Sequence, residues 1–129
     1  MTRLSLLLAL MASSALAQTP APPPTSAPTL DTWLPRPGVE LTALDKITAR
    51  ATTLPGRVGQ TLSFGSLSIT VRACLVRGPD QPADQAAFLE IADSRDPDHR
   101  FRGWVLLSVP GASMLEHPVY DVHLLACRA

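Results

Sequence analysis

The chain has 129 residues, no formal net charge (11 basic against 11 acidic side chains), 13 prolines, two cysteines and only six aromatic residues, three Phe, two Trp and one Tyr. Near-neutrality argues against nucleic acid or an anionic membrane surface as the main partner, and so few aromatics do not furnish a stacking platform for bases. No nucleotide loop, metal-ligand set or nucleophile motif stands out, so no cofactor, metal or catalytic residue is expected.

Residues 1–17 have the three parts of a secretory signal: a basic start at Arg3, an apolar run from Leu4 to Leu10 that weakens toward Leu16, and Ala15-Leu16-Ala17 ahead of Gln18. Cleavage after Ala17 is the expected outcome; an uncleaved membrane anchor is the alternative. The apolar run falls short of the ~20 residues that span a bilayer, and no later segment approaches that length, so the mature chain is expected to have no transmembrane segment. From Gln18 to Pro37 seven of twenty residues are proline, interleaved with Ala, Thr and Ser. Such a segment buries too little surface to offset its ordering entropy and is expected to be a disordered tether. Its functional reading is a spacer, or a ligand for a proline-binding partner that also uses Trp33.

Residues 38–129 read as a single small domain, of a size that benefits from a covalent clamp. Val39–Leu44 and Ile47–Leu54 are alternating, β-branched runs that predict two strands or one bent strand, ended by Leu54-Pro55-Gly56. Thr61–Phe64, the pair Gly65-Ser66 and Leu67–Val76 predict a hairpin with a two-residue turn, glycine at its first position. Leu67, Ile69, Val71, Ala73 and Leu75 fall on one face, expected to be core, with Arg72 and Cys74 on the other. Arg77–Gln85 is expected to be a loop with room for a helical turn at Ala83–Ala86, and Ala87–Ala92 a strand. The acidic stretch Asp93–Arg100 lacks the spacing of a calcium loop and reads as a solvated hairpin tip with Pro97 in the turn. Phe101–Leu107 is apolar on both faces, as a central strand would be. Ser108–Pro118 is a long connection with Met114 and Leu115 as expected anchors, and the first place to look for function. In the closing strand Tyr120, Val122, Leu124 and Ala126 share one face and Asp121, His123, Leu125 and Cys127 the other, which places Cys127 away from the main core unless a bulge intervenes.

In the oxidising compartment that the signal implies, Cys74 and Cys127 are expected to form a disulfide, whose loop length corresponds to roughly 4 kcal/mol. A catalytic thiol is the competing reading and has no flanking motif. His117, Asp121 and His123 form H-x-x-x-D-x-H, a pattern able to bind zinc or to orient a histidine base. They supply three ligands at most. The structural alternative has Asp121 capping a turn or paired with Arg72 or Arg102, His117 bonded to backbone and His123 partly exposed. Trp104 and Tyr120 are candidates for a sugar- or peptide-binding groove, against a core role for both.

The ordered blocks Leu44-Asp45-Lys46-Ile47-Thr48, Phe64-Gly65-Ser66-Leu67, Val71-Arg72-Ala73-Cys74, Ala86-Ala87-Phe88-Leu89, Gly103-Trp104 and His117-Pro118-Val119-Tyr120-Asp121-Val122, with the terminal cysteine, resemble a family of small secreted bacterial proteins catalogued as a domain of unknown function. The resemblance covers nearly all of Ala43–Cys127. It implies a periplasmic, one-domain unit with paired cysteines and carries no catalytic residues. Two positions depart from its pattern: Ala49, where glycine is expected, and His123, where tryptophan is expected.

The expected fold is therefore all-β, a small antiparallel sandwich or partly closed barrel of six or seven strands behind a disordered tether. The expected function is a non-catalytic periplasmic module binding another envelope protein or envelope component. A small-ligand or metal-binding protein using the His117–His123 region is the alternative, and an envelope hydrolase or thiol enzyme stands third.

Overall fold

The computed structural model describes residues 33–129 together with Ala17; the rest of the expected signal and residues 18–32 of the expected tether lie outside the described residues. Among the described residues eight strands are formed: β1 (Trp33–Pro35), β2 (Gly38–Asp45), β3 (Arg50–Arg57), β4 (Thr61–Phe64), β5 (Leu67–Arg77), β6 (Gln85–Asp93), β7 (Phe101–Leu106) and β8 (Tyr120–Arg128), with a 3-10 turn at Pro110–Ala112. One sheet runs β1-β5-β6-β7, with β4 also paired to β5, and the other runs β3-β2-β8. All pairings are antiparallel. The sheets pack face to face, β8 against β5, β6 and β7, and β2 against β5. The all-β sandwich expected from the sequence is present, with eight strands in place of six or seven and without closure into a barrel.

The additional strand comes from the stretch read as tether. Residues Trp33–Pro35 lie along the C-terminal end of β5, with Trp33 opposite Arg77 and Pro35 opposite Leu75. Proline is compatible with that position because an edge strand has no neighbour on its outer side to receive an N–H. The same rule explains why β3 runs through Pro55-Gly56 instead of ending there. β3 is the edge of its sheet, and a Cβ on Gly56 would stand 2.9 Å from the Leu62 methyls. The expected helical turn at Ala83–Ala86 is absent: Ala86 and Ala87 pair with Leu106 and Val105, so their backbone groups are satisfied in the ladder.

Between β2 and β3 the chain turns over residues 46–49. The Asp45 Oδ1 accepts the N–H of Ile47 at 2.9 Å and of Thr48 at 3.1 Å. Ile47, expected to open a strand, is therefore at the hairpin tip and 77% exposed. Ala49 closes the turn at φ 56°, the left-handed region that disfavours any residue with a Cβ. This is the position where the family resemblance calls for glycine, and the backbone supplies the reason. Ala49→Gly is expected to raise stability by about 0.5–1 kcal/mol, the relief of left-handed strain exceeding the extra unfolded-chain entropy of glycine. Urea denaturation of the two chains checks it; an unchanged or lower midpoint would count against strain at this turn.

Two β-bulges decide what faces the core. In β5, Val71 pairs with Leu89 and Ala73 with Phe88, leaving Arg72 as the extra residue. In β8, Leu124 pairs with Leu41 and Ala126 with Glu40, leaving Leu125 extra. Each extra residue reverses the alternation beyond it. Leu67, Ile69 and Val71 point inward before the first bulge and Cys74 after it; Val122 and Leu124 point inward before the second and Cys127 after it. The cysteines are thus in the core and not on the polar faces that uninterrupted alternation predicts. They form a disulfide that joins β5 of one sheet to β8 of the other, Cα to Cα 5.6 Å. The second bulge takes the Cys127 N–H out of the ladder, and the side-chain oxygen of Gln85 on β6 accepts it. Val39, Leu41, Leu89, Ile91, Val105 and the expected anchor Leu115 complete the core.

Candidate functional site

Two places in the fold gather chemistry. The first is one end of the sandwich, where four connections meet: the β2–β3 turn, the β4–β5 turn, the β6–β7 loop and the last part of the β7–β8 loop. Along β6, Ala87, Leu89, Ile91 and Asp93 all fall on the inner face, and Asp93 is buried. A buried carboxylate must be bonded, and three donors converge on this one: the Ser66 hydroxyl, the Arg95 N–H at 2.9 Å and the His117 Nε2 at 2.7 Å. These bonds, that of Ser66 first and then that of His117, hold the Asp93 carboxyl far below the usual carboxylate range.

His117 is 8% exposed. Its Nδ1 accepts the N–H of Val119 at 3.0 Å and of Tyr120 at 3.1 Å. A nitrogen that receives two N–H donors carries no proton, so the proton of the neutral ring is on Nε2, where it is donated to Asp93. Both ring nitrogens are consumed. No lone pair is left to bind a metal or take a proton from a substrate, and the Ser66 hydroxyl is committed to the same carboxylate. Lys46 closes the arrangement from the other sheet: its N–H donates to Val119 O at 2.8 Å and its Nζ to His117 O. Tyr120 stands between the His117 ring (5.1 Å) and the Phe64 ring (5.6 Å, edge to face). Its hydroxyl fills the space a Cβ on Gly65 would need, which together with φ 56° requires glycine in that turn. An open, polar cleft of about 570 Å³ borders this cluster at His117 and is lined also by His99, Arg100, Glu116 and Met114, the last half-buried there and not the core anchor that the sequence suggests.

The H-x-x-x-D-x-H residues do not converge. His117 turns inward to Asp93, whereas Asp121 and His123 are on the outer face of the β3-β2-β8 sheet, opposite Leu44 and Thr42. Asp121 pairs with Lys46 at 3.5 Å, not with Arg72 or Arg102, both of which bind Glu90. Among the described residues no group of three or more His, Cys, Asp or Glu has a metal-holding arrangement.

The second place is the outer face of the β1-β5-β6-β7 sheet. β7 is the edge of that sheet and not a central strand, so Trp104, a core candidate by sequence, is 41% exposed and leans its ring edge on Phe88 at 5.2 Å. One rung across the strands carries Pro35, Leu75, Ala86 and Leu106 on this face. Ala86 is small, and the depression over it is walled by Trp33 from β1 and Trp104 from β7. The result is a mainly apolar pit of about 260 Å³ lined by Trp33, Leu75, Ala86, Trp104 and Leu106. The Arg77 guanidinium lies over the Trp33 ring at 4.9 Å and forms a cationic flank.

The sequence places Asp93 in a solvated hairpin tip, whereas it ends β6 and is buried, and it gives no site role to Ser66, to Lys46 or to the pairing of Trp33 with Trp104. For Asp93 a signal existed: the alternation of Ala87, Leu89 and Ile91 extends to it and demands a partner for an inward acid. For the two tryptophans there was none, since they are 71 positions apart and meet only through the order of the strands.

A family model described as an uncharacterized protein conserved in bacteria (DUF2155) matches residues 39–127. The uncharacterized protein RP359 of Rickettsia prowazekii (strain Madrid E) is 28% identical over an alignment of 91 residues that covers 68% of this chain and 59% of that protein. The chain therefore spans less than two thirds of that relative's length. No solved structure matches it significantly.

Proposed function

Because the chain belongs to the DUF2155 family of uncharacterized conserved bacterial proteins, which brings no activity with it, we propose its function from its own surface: a non-catalytic periplasmic module that binds another envelope protein. The observation that carries this reading is the pit between Trp33 and Trp104. Exposed tryptophan over an apolar floor is the composition of a binding hot spot, where large rigid side chains give contact area at low entropic cost. The periplasmic part rests on the signal-like residues 1–17 and is in keeping with a disulfide, since such bonds persist in oxidising compartments. Among the described residues no helix is long and apolar enough to cross a membrane. The non-catalytic part rests on His117, whose ring has no nitrogen to offer a substrate.

A photoreactive side chain introduced at Leu106, beside Trp104, tests the reading in the producing cell. The expected result is a discrete heavier adduct that does not form when the same group is introduced at Thr53, on the exposed edge strand of the other sheet. Adducts at neither position, or equally at both, would remove the pit as the binding site.

A further inference from the structure

The pit has a candidate occupant within its own chain. We propose that the proline-rich stretch Pro20–Pro28, which precedes β1, docks in the pit between Trp33 and Trp104 of the same molecule, so that an envelope partner has to displace it. This rests on the pit being the binding site.

Four observations lead there. The first is chemical class. Aromatic walls around a small apolar floor suit proline-rich segments, whose extended form is preset and loses little entropy on docking. Five of the nine residues Pro20–Pro28 are proline. A second observation is continuity: Trp33 is at once a wall of the pit and the first residue of β1, so the stretch is delivered to the rim by the chain itself. Reach is the third. Ala86 is two strands away from β1, on the order of 10 Å at the usual strand spacing. Pro28 is five residues before Trp33, and a four-residue reversal between them would keep it at the rim, its ends within ~7 Å. The intervening Thr29-Leu30-Asp31-Thr32 has no proline and contains the Asp and Thr that suit a chain reversal. Pro24, four residues further, adds ~12 Å in an extended polyproline form and carries the stretch across toward Trp104. Charge is the fourth: Pro20–Pro28 carries no charged side chain, so its docking on the apolar floor desolvates no ion. Tethering raises the local concentration of the stretch to about the millimolar range, so a contact too weak to be seen between separate molecules is populated within one.

The consequence is regulatory. A partner presenting a similar proline-rich or extended apolar segment competes with an internal copy, and loses apparent affinity in proportion to its occupancy.

The chain's two tryptophans are the two walls of the pit, so indole signals report on this site alone. The full chain is compared with one carrying Pro20→Ala, Pro22→Ala, Pro23→Ala, Pro24→Ala and Pro28→Ala together, positions that precede β1 in the sequence, with the backbone amides of core residues as a check on folding. The expected result is a shift of both indole N–H resonances and a loss of protection from acrylamide quenching in the five-proline variant, independent of protein concentration. Indole signals that do not move overturn the proposal. Protection that disappears from the unsubstituted chain on dilution also overturns it, in favour of docking on a second copy. Crosslinking at Leu106 in both chains keeps the two claims apart. An adduct with unmoved indoles removes the internal occupant and leaves the partner reading standing. Moved indoles with no adduct in either chain do the reverse, and an adduct stronger in the five-proline variant supports both.

Discussion

Replacing Cys74 and Cys127 together by alanine is expected to lower stability by about 4 kcal/mol, the loop-closure entropy of a cross-link over 53 positions. That is a large share of the ~5–15 kcal/mol that holds a small domain together. The site makes the effect larger than for a surface bridge. The two sheets share no ladder hydrogen bonds, and between β5 and β8 this is the single covalent tie across the core. Cys74 is 1% exposed within the core cluster, so its truncation also leaves space that the surrounding side chains cannot fully close. Urea unfolding of both chains measures the loss, with the change in slope showing how far the released unfolded chain expands. A loss under ~1 kcal/mol would mean that the unfolded chain is already compact without the bridge.

The other large effect is expected at the buried end of the sandwich. His117→Leu keeps the volume filled but strands the N–H groups of Val119 and Tyr120, each costing ~1–3 kcal/mol when buried without an acceptor. A loss on the order of 3 kcal/mol is expected, with the start of β8 the first segment to exchange its amides. If His117 instead served a substrate or a metal, the leucine chain would keep its stability, and chemical denaturation decides between the two. The same cluster makes stability depend on acid. Because the Asp93 carboxyl is held below its ordinary value in the folded chain, the unfolded chain binds the proton more readily. Its contribution is therefore complete above the unfolded value of about pH 4 and drains away as the pH falls below that. Asp93→Asn is expected to be less stable at neutral pH and to show a flatter decline between about pH 4 and pH 2. Melting curves across that range check both, and parallel acid limbs would assign the acid sensitivity to other carboxylates.

Much of the architecture is local and can be read from the chain. The alternation of Leu67, Ile69 and Val71 announces a half-buried strand, Gly65-Ser66 its hairpin, Leu115 an anchor in the long connection before β8, and two cysteines leave one pairing to form. The strain at Ala49 is also foreshadowed, as a departure from the glycine the family pattern calls for. These readings succeed because each rests on interactions within a few residues. The orientation of the cysteines, the inward turn of His117 and the meeting of Trp33 with Trp104 rest on something else. Arg72 and Leu125 look like ordinary strand residues, and nothing in their neighbourhood marks them as extra. They become bulges because β5 and β8 must each bury an apolar set on one side and a cysteine out of phase with it, and a slip of one residue is the way one strand satisfies both. That choice is made by the facing strands β6 and β2, and by the opposite sheet. The sequence by itself therefore determined most of the strands, though not β1 or the start of β3, and that the cysteines would pair. Only the tertiary structure decided which side of each strand is inside, because register is set by burial against partners that are distant in the chain.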